Sequence, residues 1–244
     1  MKYILPFLLA ILVVSPAFAT RVAGSAIANT GTGSGSGVTT AAINSTGANT
    51  CIVGATQSGG SGSLTVSDSA GNTWIAVSGS PLLTNGSYLY VWYAKNVTTS
   101  STHTATTAGA SASFITTSLD CFSGESTTSP LRGSSTYSQS SYVQGQTGAT
   151  VTASAGDDIW SYCSDMTNGG AETFSSLSLT LGSQATGGGS NQYLPGFTQY
   201  SNSVAAGSVT GAWTTSNFVV ASSIIVDFGA GAGGSSNATM FLSN

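Results

Sequence analysis

Charge is the scarcest property of this sequence. Its 244 residues include 4 Lys and Arg, 8 Asp and Glu and one histidine, for a formal net charge of −4. Beyond Lys2 the basic side chains are Arg21, Lys95 and Arg132, far apart in the chain. A nucleic-acid surface needs clustered Lys and Arg to displace counterions from phosphates, so that class is excluded, and anionic membrane surfaces go with it. The single histidine, His103, and the cysteines Cys51, Cys121 and Cys163 show no C-x-x-C or Cys/His spacing, so no metal site is expected. There is no G-x-S-x-G elbow. The few acids, several in turn-like settings, give little from which to build the paired carboxylates of a glycosidase. The reading is therefore non-enzymatic: no catalytic residue, no metal and no cofactor. Sustained helical periodicity with caps is also missing.

What is present begins with a leader. Lys2 precedes an apolar run, Ile4 to Val14, and Ala17-Phe18-Ala19 follows as a small-x-small cleavage site. Residues 1–19 read as a secretory signal peptide. The run is too short to span a bilayer, and no later stretch is long and apolar enough. The expected location is secreted or extracellular, at the cell surface or in a periplasm, with no membrane span in the mature chain. Export permits disulfides. Three cysteines allow three single pairings, and a buried free thiol suits a strand-like run equally well.

Hydrophobic residues make up 40% of the chain and aromatics 9%, enough to fill a core despite the 32 glycines. They fall in short alternating runs punctuated by Gly, Asn and Ser, which read as strands. Residues 50–55, 87–94, 113–122, 158–163 and 218–228 are the clearest. About a dozen such strands predict an all-β fold, an antiparallel two-sheet β-sandwich of jelly-roll or Ig-like type. The predicted organisation is signal peptide 1–19, a Gly/Ser/Thr-rich lead segment 20–37, one β-sandwich domain 38–228, and a Gly/Ala/Ser linker and tail 229–244.

Five pieces, S-D-S-A-G-N-T-W, W-Y-A-K-N-V, D-C-F-S-G, A-G-D-D-I-W and the closing strand, form one recurrent arrangement over about residues 45–228. It resembles uncharacterised β-sandwich modules, Ig-like or jelly-roll, in secreted and surface proteins of bacteria. The resemblance implies fold and location, and brings no catalytic residues with it.

Two stretches bear on function. V-S-D-S-A-G-N-T-W-I-A-V, residues 66–77, has one carboxylate, Asp68, where a calcium loop needs several oxygen ligands. Gly and Asn beside an acid suit a hairpin turn instead. His103, in S-T-H-T-A-T, reads as an exposed strand histidine. The second stretch is Ser87–Ala94. Strand alternation sets Tyr88, Tyr90 and Trp92 on one face, and Leu89, Val91 and Tyr93 on the other. Three rings in a row are a candidate carbohydrate-binding platform, while burial on both faces is the favoured alternative because large aromatics fill cores.

The function expected from sequence is a secreted, non-catalytic structural or adhesive protein of the cell surface, matrix or an extracellular assembly. Its partners would be other extracellular proteins or polysaccharide, with self-association included. The alternatives are a carbohydrate-binding module using Tyr88, Tyr90 and Trp92, and a filament subunit assembled by terminal strand addition.

Overall fold

The computed structural model describes residues 20–28, 37–58, 63–109, 114–166, 174–175, 177–185 and 196–231. The expected leader, residues 29–36 of the lead segment and residues 232–244 lie outside these. Among the described residues there are strands and no helix. In chain order they are β1 Thr20–Ala28, β2 Val38–Thr39, β3 Thr50–Ser58, β4 Thr65–Asp68, β5 Ile75–Ala76, β6 Leu82–Thr84, β7 Ser87–Lys95, β8 Ala105–Ala108, β9 Phe114–Ser123, β10 Leu131–Gln146, β11 Thr150–Ala153, β12 Asp158–Met166, β13 Phe174–Ser175, β14 Thr180–Ala185, β15 Gly196–Ser201, β16 Gly207–Thr210 and β17 Trp213–Phe228.

The strands form four antiparallel sheets. The first large sheet runs β1-β9-β3-β7-β5, with β6 also on β7. The second runs β10-β17-β12-β15-β14, with β13 also on β17. Two small sheets, β2-β8-β4 and β11-β16, complete the set.

Alternation along the long strands explains the layering. Ile52, Leu89, Val91 and Phe122 of the first large sheet meet Trp160, Tyr162, Ile224, Val226 and Phe228 of the second, forming the central core. The opposite faces are apolar too. Cys51, Val53, Tyr90, Trp92, Leu119 and Cys121 pack beneath the three-stranded sheet with Val38, Leu64 and Ala105. Ile159 and Ile225 pack against Val151 and Ala153 of the two-stranded sheet. Strands covered on both sides bury nearly every residue, as β3 does throughout. Gly54 of β3 is required by this approach: a Cβ there would lie 2.5 Å from the Tyr162 ring.

Thr20–Ala28, expected to belong to a lead segment, instead forms β1 against β9. Its small residues give no apolar pattern, and the anchor is Arg21. The Arg21 Nε donates to Asp120 Oδ1 at 2.7 Å, and Nη2 donates to Ser183 Oγ of β14 at 3.0 Å, linking the two large sheets along that side. Trp160 Nε1 donates to Asp120 Oδ2 at 2.8 Å. Asp120 is fully buried. Desolvation raises its pKa, and the Arg21 charge and the Trp160 hydrogen bond oppose the shift.

Candidate functional site

The aromatic strand β7 lies inside the molecule. Tyr90 and Trp92 are 4% and 8% exposed and stack with ring centroids 5.2 Å apart. Tyr88, partly buried, is 6.4 Å from Tyr90. All three face the three-stranded sheet, and the Leu89 and Val91 face packs into the central core. A sugar ring stacks on an open aromatic face, and neither Tyr90 nor Trp92 presents one.

The 66–77 stretch turns as its residues require, but it is not a hairpin. β4 pairs with β8 in the small sheet, and β5 pairs with β7 in the large one, so the turn carries the chain between layers. Asp68 Oδ1 accepts from the Ala70 and Asn72 backbone N–H groups at 3.1 and 2.9 Å, and Asn72 Nδ2 donates to Asp68 Oδ2 at 2.8 Å. Gly71 takes the positive φ, +73°, that the turn needs.

His103 is fully buried, against the expectation of exposure. Its backbone bridges to Ile43, which holds it under the small sheet. Nδ1 lies 2.9 Å from Ser45 Oγ and Nε2 lies 3.2 Å from Asp68 Oδ2. Ser, His and Asp in a row resemble a nucleophile relay. Here Ser45 is itself fully buried, and its Oγ also accepts from the Ser100 N–H at 3.0 Å. The row ties three loops together and shows a substrate no open hydroxyl. Burial opposes ionisation of Asp68, but hydrogen bonds from Asn72 and His103 outweigh it and hold its pKa below the ordinary carboxylate value.

Beneath His103, Cys51 and Cys121 are joined in a disulfide across directly opposed positions of β3 and β9. This resolves the pairing left open by the sequence. Cys163 is free and buried, and burial pushes its thiol up to about 12.

A second polar cluster lies where β12 begins and β17 ends. Glu125, Asp157, Asp158 and Asp227 are all buried there. Arg132 Nη1 donates to both Asp157 oxygens, at 2.8 and 3.1 Å, and the Ser203 N–H donates to Asp158 Oδ1 at 2.8 Å. Glu125 faces Asp158, and Asp227 faces Asp157, closely enough to share a proton; otherwise both Glu125 oxygens, Asp158 Oδ2 and Asp227 Oδ1 have no hydrogen-bond partner among the described residues. Burial first, and then the charge of Asp158, pushes the Glu125 carboxyl up to about 9. Burial and the Asp157 charge raise Asp227 to about 7, and Asp158 rises to about 6, chiefly by burial. Asp157 and Asp158 are neighbours in sequence, but Glu125 and Asp227 are distant and are brought to them only by the fold.

The largest feature missed by the sequence reading is β10. L-R-G-S-S-T-Y-S-Q-S-S-Y-V-Q-G-Q shows no apolar alternation because neither of its faces is deeply buried. It bonds β17 on one side, and on the other no strand adds to it among the described residues. Gly133 to Gln139 match Asp227 to Ala221 residue for residue, and register shifts bound that stretch at both ends. Thr84 Oγ1 and Ser138 Oγ hydrogen-bond at 2.9 Å, and Ser134 Oγ donates to Ser78 O at 3.3 Å, so the strand is held firmly. Exposed edges are normally blunted by Lys, Pro or irregularity. β10 contains neither Lys nor Pro, and its one charge, Arg132, is paired to Asp157.

No family model matches the chain, and no curated protein matches it.

Proposed function

We propose that this protein is a secreted, non-catalytic structural or adhesive β-sandwich component of an extracellular assembly, joined to a neighbouring copy by a strand added along β10. One observation carries this reading: an uncharged and regular edge of seven residues, Gly133 to Gln139, to which no second strand adds among the described residues. Backbone hydrogen bonds along such an edge supply affinity without charge or a pocket. That suits a chain with so little charge. The incoming strand we propose is N-A-T-M-F-L-S-N, residues 237–244, eight residues against the seven of the open stretch.

The test is analytical ultracentrifugation of the full chain. Wild type is expected to associate with rising concentration. Ser138→Lys with Ser140→Lys, which puts one charge on the open stretch and one just beyond it, is expected to remain monomeric, and so is a chain ending at residue 231. A wild type that is monomeric at every concentration overturns the reading. If the chain ending at 231 associates as wild type does while the Lys pair stays monomeric, the edge is right and the assigned strand is wrong. The polysaccharide reading is separated by Trp92→Ala. Selective loss of glycan binding in a folded variant would support a platform. The expected result is a general loss of stability of about 3–5 kcal/mol, as for removal of a core aromatic.

A further inference from the structure

We propose that Cys51, Cys121 and His103, once the disulfide is reduced, form a binding site for one zinc ion. This inference is independent of assembly along β10. The two sulfurs and a His103 ring nitrogen already lie within 4.8 Å of one another, and all three residues are buried. Cys51 and Cys121 are directly opposed on an antiparallel pair, with Cα atoms 4.0 Å apart. With Zn–S bonds of about 2.3 Å and tetrahedral angles, two thiolates on one ion sit about 3.8 Å apart, a spacing that opposed cysteines can span. The imidazole completes a Cys₂His set and leaves one position for water.

The surroundings favour this ion over others. Two thiolates neutralise a dication within a layer lined by Val53, Ala105 and Leu119, where a net charge is costly. Sulfur and imidazole are soft donors that select zinc over calcium or magnesium. Metal-bound histidines normally hold an oxygen acceptor on the second ring nitrogen. His103 now has an oxygen at each nitrogen, Ser45 Oγ and Asp68 Oδ2, so binding metal requires the ring to turn and give up one of these bonds, and the remaining oxygen is the acceptor available to the second nitrogen. Asp68 is in turn fixed by three hydrogen bonds from Ala70 and Asn72. The site is thus closed to metal when oxidised. A phosphine reductant opens it: the phosphine takes up oxygen from water, and the two sulfurs receive the two protons. Zinc then displaces those protons.

The experiment uses the full chain carrying Cys163→Ala, which removes the third thiol from a separate core. Reduced protein is titrated with Co²⁺ as a spectroscopic substitute and with Zn²⁺ in competition. The expected result is one equivalent of bound Co²⁺, with a thiolate-to-cobalt charge-transfer band and tetrahedral d–d bands that Zn²⁺ abolishes. The oxidised protein gives none. His103→Gln weakens binding by at least the roughly tenfold typical of losing even an outer partner. Two titratable thiols without these bands overturn the proposal. Far-ultraviolet dichroism is followed in parallel, and unfolding on reduction that metal does not reverse also overturns it.

Discussion

The two buried polar clusters solve the same problem in opposite ways. Around His103, both ring nitrogens, the Ser45 hydroxyl and both Asp68 oxygens have partners. Around Glu125, four carboxylates face one guanidinium, Arg132, and several oxygens have no partner but a neighbouring carboxyl among the described residues. A satisfied cluster stabilises in its charged form, and an unsatisfied one stabilises only while protonated. The two therefore impose opposite pH slopes. Asp68, with its pKa lowered, contributes stability above the ordinary carboxylate value and loses it as pH falls through the folded value. Glu125, Asp158 and Asp227, with pKa values raised, keep their contribution below the ordinary range near 4 and lose it as pH rises through about 6 to 9. The three raised acids outnumber Asp68, so stability is expected to fall steadily as pH rises above about 4.

The largest expected effect is at the base of the His103 cluster. The disulfide joins residues 70 apart, so metal-free reduction is expected to cost about 4 kcal/mol on the loop-entropy account, measured by urea unfolding with and without the phosphine. Next is His103→Ala, which removes two side-chain hydrogen bonds at roughly 0.5–1.5 kcal/mol each and leaves a cavity, while Ser45 and Asp68 keep their bonds to Ser100 and Asn72. If this variant is as stable as wild type, the cluster is not the tie described. The third effect has the opposite sign. Each group protonated when folded and ionised when unfolded costs about 1.4 kcal/mol per pH unit. Glu125→Gln is therefore expected to flatten the fall in melting temperature between pH 5 and 9, and to raise stability at the alkaline end. An unchanged pH profile would mean that Glu125 does not carry the slope.

Much of the architecture is legible in the residue pattern itself. Alternating Val, Ile, Tyr and Trp in β7 and β17 declare strands, and Gly and Asn mark their ends, because a residue alternation and a positive φ are local properties. What the pattern does not reveal depends on partners. Thr20–Ala28 has little apolar content and joins a sheet through β9 and the Arg21–Asp120 pair. The 66–77 turn has a hairpin's residues, yet its two strands go to different sheets, a choice made by packing and not by the turn. His103 has polar neighbours in sequence and is buried by layers formed elsewhere. The polar β10 reads as a loop because nearly all its side chains are exposed or half-buried on both faces, so no alternating apolar pattern marks it.

Hydrogen–deuterium exchange of β10 bears most directly on the proposal that β10 is the joining surface. Amides of Gly133 to Gln139 that face away from β17 should exchange fast at low protein concentration and become protected as concentration rises, while amides of the central core stay unchanged. Exchange in that stretch independent of concentration, in a sample shown to associate, would contradict it.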